Sequence, residues 1–282
     1  MPSDPLRPSP ALVAAAWGRR VQANREQVER MREDDPDPDH YAPIVRLFRG
    51  DPNLADDPTW DALRPTVGRD ETWLDIGAGG GRLALPLARH TREVIALDPS
   101  PGMVNLLHEL VGTHQLTNVR VVEGRWPAAA PLAADVAFVS HVGYDVEQIG
   151  PFVDAMEANA RRRCVAILLE RAPPYPFDEL WPAVHGEQRA PLPALPEFLT
   201  LLLARGRLFE VQFTQRWAQV FPAFEDLLAL ARRQLWTRPG SAADERLRAA
   251  LAQRVVRRDG GFAASARPAR LGIVSWTTEG PR

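Results

Sequence analysis

The amino-acid sequence predicts an α/β fold, a doubly wound parallel sheet with helices on both faces. Three observations carry that prediction. Short apolar runs alternate with helical stretches from about residue 70 to residue 169. A glycine-rich segment, Leu74-Asp75-Ile76-Gly77-Ala78-Gly79-Gly80-Gly81-Arg82, leaves the first of those runs, and an acid, Asp98, closes the second. Repeated strand–helix units imply parallel pairing, because each crossover returns the chain to the same edge of the sheet. The right-handedness of such crossovers leaves only a few topologies.

The elements follow in chain order. Four prolines in the first ten residues predict an unstructured start. Ala14, Trp17, Val21, Val28 and Met31 share one stripe and predict a helix over 11–33. The acid–proline run from Glu33 to Asp39 ends it. Shorter helical pieces are predicted at 41–49 and 56–64. Residues 1–66 thus form an N-terminal helical segment, and 67–282 the main domain. Its strands are predicted at 73–76, 93–97, 119–122, 135–139 and 164–169. The intervening helices fall at 81–89, 101–113 and 147–160. Seven prolines between residues 172 and 196 predict a long cap loop without regular structure. Beyond it come a helix at 194–205, ended by Gly206, and an alternating strand at 207–215. Two amphipathic helices at 222–236 and 242–257 form an insertion over 222–258. Leu271–Trp276 reads as a last strand.

Composition narrows the function classes. The chain has 282 residues, 45% hydrophobic and 25% charged, enough to bury a core. A formal charge of −2 gives no basic surplus, so no nucleic-acid partner is expected. The arginine runs at 161–163 and 257–258 read as solvated helix ends. The single cysteine, Cys164, reads as a small core residue in a buried strand. No apolar run reaches bilayer length and no secretory leader is evident, so the expected setting is cytoplasmic, with no membrane partner. No metal site is read from the sequence, and the oligomeric state is not legible.

The glycine segment carries the chemistry. It joins a strand to a helix, where unpaired N–H groups and the positive end of the helix dipole favour a ligand. Asp98, seventeen residues beyond Gly81, stands at the end of the next strand. There a carboxylate accepts hydrogen bonds from both hydroxyls of a ribose. Gly79, Gly81 and Ala84 satisfy G-x-G-x-x-A, so a nicotinamide cofactor is not excluded by the glycines alone. A P-loop is excluded, because no Gly-Lys-Ser/Thr follows. Asp75 tips the balance. Beside a pyrophosphate its charge is unfavourable; beside an ammonium it is favourable.

The pattern D-x-G-x-G-x-G at Asp75–Gly81, followed by Asp98-Pro99-Ser100-Pro101-Gly102-Met103, resembles the class I S-adenosylmethionine-dependent methyltransferases. The resemblance is specific over about residues 70–140 and architectural beyond. It implies a mostly parallel seven-stranded sheet with a closing antiparallel strand, the closing pair being 207–215 and 271–276. It implies S-adenosylmethionine as cofactor. Asp75 and the loop of Gly77, Ala78, Gly79 and Gly81 would hold the methionine end, Asp98 the ribose with Pro99 and Ser100 beside it, and Met103 the adenine. The next family contact falls on Glu123-Gly124-Arg125-Trp126, with Arg125 where an acid is expected. Glu123, a backbone group or Trp126 is left to meet the adenine.

Ser140-His141-Val142-Gly143-Tyr144-Asp145 follows the fourth strand and therefore flanks the methyl donor. His141 is the candidate general base and Tyr144 the candidate orienting group. Ala172-Pro173-Pro174-Tyr175 mimics the Asn-Pro-Pro-Tyr box of amino-group methyltransferases. It follows the wrong strand and begins with alanine, so it is set aside. Trp17, Tyr41, Trp181, Phe224 and Trp236 are candidate linings of a roofed pocket, which favours a small-molecule acceptor. Two other readings stay open: a nicotinamide-dependent oxidoreductase, and a catalytically silent protein that binds the cofactor or a protein partner.

Overall fold

A computed structural model describes residues 8–35, 39 and 42–278, with the backbone alone at 42 and 43. Tyr41 and the first seven residues lie outside the described residues. The chain opens with helix α1 (Pro10–Met31), a 3-10 turn (Ala42–Phe48) and α2 (Pro58–Leu63). Then β1 (Thr72–Ile76), α3 (Ala84–Ala88), β2 (Glu93–Asp98), α4 (Pro101–Thr113), β3 (Val119–Glu123), β4 (Ala134–Ser140), α5 (Ile149–Asn159) and β5 (Ala160–Leu169) alternate as expected. Next come α6 (Trp181–His185), α7 (Leu195–Ala204), β6 (Phe209–Arg216), β7 (Val220–Phe221), α8 (Phe224–Leu235), α9 (Ala242–Arg254), β8 (Val256–Arg258), β9 (Gly261–Ala263) and β10 (Ala269–Thr277).

Seven strands form one sheet in the order β3-β2-β1-β4-β5-β10-β6. The first five are parallel, and β10 runs antiparallel to both neighbours. The predicted closing pair is present, from Ala269 opposite Arg216 to Trp276 opposite Phe209. Strand order reverses between β1 and β4, which opens a crevice at their carboxyl ends. Side-chain alternation along each strand splits the core in two. Leu74, Ile76, Val139 and Ala166 pack against α1, α5 and α7. Trp73, Phe138, Val165 and Ile167 pack against α2, α3 and α4. Cys164 lies in the first core, fully buried, as expected.

Four expectations need correction. The helix predicted from residue 81 begins at Ala84 and lasts five residues. Residues 161–163 belong to β5, not to a helix end. Arg162 and Arg163 converge on the buried Glu71 carboxylate at 2.9 and 2.6 Å. The proline-rich stretch contains a 3-10 turn (Phe177–Leu180) and α6, because Pro182 sits in the first helical turn, where no N–H is needed. The insertion between β6 and β10 is not wholly helical: α9 stops at Arg254, and Arg257–Arg258 lie in β8 of a three-stranded antiparallel sheet, β7-β9-β8. The insertion and α6 share a third core around Trp181, Leu228, Leu235 and Leu247.

Candidate functional site

The glycine loop wraps the ends of β1 and β2. At Gly77 φ is +74°, and a Cβ there would lie 2.6 Å from Val142 Cγ2, so the loop and the segment after β4 meet closely. Gly77 N and Ala78 N both donate to Leu97 O, at 2.7 and 3.0 Å. Gly79 N donates to Asp98 Oδ2 at 2.8 Å, and Gly81 N to Ala78 O at 3.0 Å. These N–H groups were expected to stand free at a helix start. The turn uses them internally and delays α3. Gly80 is pinned from outside: a Cβ would meet Phe48 O at 2.2 Å, and Gly50 N donates to Gly80 O at 2.9 Å.

Two carboxylates flank this loop, and both are buried. Asp75 Oδ1 has no hydrogen-bond partner. Burial, and then the Asp98 charge, push the Asp75 carboxyl up to about 8. Asp98 accepts from Ser100 N at 2.9 Å as well as from Gly79 N. Burial and the nearby Asp39 charge outweigh those bonds and raise its carboxyl above the usual range. Ser100 caps α4, its Oγ accepting from Met103 N at 3.1 Å and donating to Asp39 at 2.8 Å. Met103 is buried on that helix and Pro99 is exposed. Gly124 N donates to Asp98 O at 3.0 Å, while the Glu123 and Arg125 side chains are exposed. Trp126 is turned to the core, its Nε1 donating to Phe152 O at 3.2 Å.

Ser140 ends β4, half-buried. His141 takes φ +58°, and its N–H donates to Ile167 O at 2.9 Å. Its Nδ1 lies 3.4 Å from Tyr144 Oη, which accepts from Leu169 N at 2.7 Å. His141 Nε2 is shielded from solvent and has no partner. Burial, then the charges of Arg216 and Arg82, hold this imidazole well below its ordinary value, so it is neutral at pH 7. Burial pushes the Tyr144 phenol up.

Asp39, Asp57, Arg82 and Arg216 also reach this region and were not anticipated. Asp57 caps α2 through Thr59 N and Trp60 N and pairs with Arg82 at 2.5 Å. Its Asp-Pro sequence is a legible helix start. Arg82 directly follows the glycines, but nothing local marks Arg216 or Asp39. Of the expected pocket linings, Trp17 and Trp181 are buried in cores instead. Trp17 Nε1 is held by Val146 O at 3.0 Å. Phe224 packs on Phe262, and Trp236 lies separately against the third core.

Residues 74–162 match the family model described as a methyltransferase domain. A probable ribosomal RNA small subunit methyltransferase A of Methanosphaera stadtmanae is 39% identical over 54 residues, 19% of this chain and 20% of that protein. A ribosomal RNA small subunit methyltransferase G of Neisseria meningitidis is 37% identical over 76 residues, 26% of this chain and 37% of that protein. The chain therefore spans well under half the length of these relatives. The crystal structure of the YcgJ protein from Bacillus subtilis shares the fold at a TM-score of 0.56, with 17% identity over 79% of this chain and 99% of that one.

Proposed function

From a chain that carries a class I S-adenosylmethionine-dependent methyltransferase domain, we infer that the whole protein methylates a small molecule held over the end of β4. One observation carries the reading: the buried, unpartnered oxygen of Asp75 beside the glycine loop. A carboxyl kept out of water without a partner is costly, and a ligand cation relieves that cost. The ammonium of a methionine moiety is such a cation.

The other residues fit the same cofactor. A Cβ at Gly79 would meet nothing within 4 Å, so the loop has an open face there. Asp98 uses one lone pair of each oxygen on backbone N–H groups and keeps the others for ribose hydroxyls. Pro99 and Ser100 flank the sugar, and Met103 packs beneath the adenine. With Gly124 N already bonded, the Glu123–Arg125 turn is left for the adenine edge. Bound S-adenosylmethionine supplies a sulfonium methyl group that an acceptor lone pair takes by in-line displacement. The protein's contribution is alignment and exclusion of water. Ser140 and His141 border the transfer path. With Nδ1–H on the Tyr144 oxygen, His141 Nε2 keeps a free lone pair and takes a proton from acceptors that must lose one. Tyr144, fixed by Leu169 N–H, orients the imidazole.

Two observations support a small acceptor over ribosomal RNA. The net charge of −2 supplies no cationic footprint for a polyanion. These two ribosomal RNA enzymes match only 19% and 26% of this chain. Incubating the protein with cell extract and methyl-labelled S-adenosylmethionine tests the proposal. Label is expected in the small-molecule fraction. Label in ribosomal RNA overturns the acceptor class, and no transfer at all favours a silent cofactor binder.

A further inference from the structure

Arg216 is the last residue of β6, level with the carboxyl edge of the sheet, opposite Ala269 on β10. Thr214, two residues earlier and so on the same face, donates to Pro58 O at 3.3 Å. This face therefore looks toward the start of α2, where Asp57 binds Arg82. Asp57 spends Oδ2 on Arg82 and Oδ1 on Thr59 N and Trp60 N. The Arg216 side chain has no hydrogen bond or ion pair among the described residues, although its charge is felt by both His141 and Tyr144. Arg216 is exposed, and surrounding protein, and then the charge of Arg82, push its guanidinium down to about 10 against the opposing pull of Asp57. At neutral pH it is an exposed cation beside a second cation, and Asp57, the carboxylate that favours its charge, is already paired with Arg82.

We propose that Arg216 binds a carboxylate of the methyl acceptor, so that the acceptor is an organic acid spanning from His141 to the end of β6. The inference rests on the methyltransferase reading of the same cleft. A planar guanidinium takes a carboxylate through two parallel hydrogen bonds. The cofactor's own carboxylate is the competing anion, because Arg82, the neighbour of Arg216, directly follows the glycine loop. β6 itself lies beyond β4, β5 and β10 from β1, and the arginine variants below separate the two ligands.

The test uses the full-length protein saturated with S-adenosylhomocysteine. Failure to bind that ligand would sink the methyltransferase reading itself and is seen first. The loaded protein is then titrated with acetate, butyrate, benzoate and indole-3-acetate, each beside its neutral amide. At least one acid is expected to bind, its amide about ten- to a hundredfold more weakly. Arg216→Gln should erase that preference, Arg216→Lys should keep part of it, and both should bind S-adenosylhomocysteine as the natural protein does. Equal binding of acid and amide, a preference that survives Arg216→Gln, or no acid binding at all overturns the proposal. So does a comparable loss of S-adenosylhomocysteine affinity in Arg216→Gln, which would give the arginine to the cofactor.

Discussion

Asp75 shows how a single residue ties the site to stability. Its folded carboxyl holds a proton up to about pH 8, against an ordinary value of 3.8. Between those values the unfolded chain binds fewer protons than the folded one, so this group lowers stability as the pH rises through the window. Asp75→Asn removes the linkage. The ligand-free variant should be about 1–3 kcal/mol more stable than the natural protein at pH 7, with little difference at pH 4. Urea unfolding at the two pH values measures it. A variant equally or less stable at pH 7 would mean that Asp75 is not held protonated. The convergence of Asp75, Gly77 and Asp98 was legible because it follows from order along the chain: an acid, a bend, a strand, an acid. Arg216 was not, because only the antiparallel return of β10 brings β6 to the sheet.

At the scale of elements, the base of β1 is held by a charged knot rather than by apolar contacts alone. Glu71 is buried and accepts from Gly68 N, Trp73 Nε1, Arg162 and Arg163. Burial alone would raise its carboxyl, but the Arg163 hydrogen bond and the others win and hold it below its ordinary value. Its contribution is full above pH 4.5, the ordinary value, and is lost as the pH falls through the depressed folded value. Glu71→Ala leaves two guanidinium groups and an indole N–H without their acceptor and should cost about 2–3 kcal/mol at pH 7. Denaturant melts check this, and a loss under 0.5 kcal/mol, the usual effect of an exposed surface change, would contradict it. The alternation of strand and helix was visible as periodicity. The placement of Arg161–Arg163 inside β5 was not, because three consecutive arginines imitate a solvated helix end until Glu71 is known to face them. Likewise α3 shrank because residues 77–83 are consumed by a turn around β2, which periodicity does not register.

Across the whole molecule, α1 joins two cores. Trp17 and Val21 lie in the core beneath the sheet, and Val28 and Met31 pack on the core of the cap. Trp17 also holds Val146, five residues after His141. The N-terminal helix thus links the segment after β4 to the cap, a connection that no local signal announced. The proposed cofactor site depends on one event, the capture of a cationic amino group by Asp75 while Asp98 binds the sugar. Calorimetric titration with S-adenosylhomocysteine at pH 7, repeated in two buffers of different ionisation enthalpy, tests it most directly. Asp75 begins protonated and must ionise against the ammonium, so binding should release about one proton. Asp98→Ala should weaken binding by about 1–3 kcal/mol, and Asp75→Asn should abolish the proton release and weaken binding as well. No heat of binding, or affinity and proton release unchanged in both variants, would contradict the account.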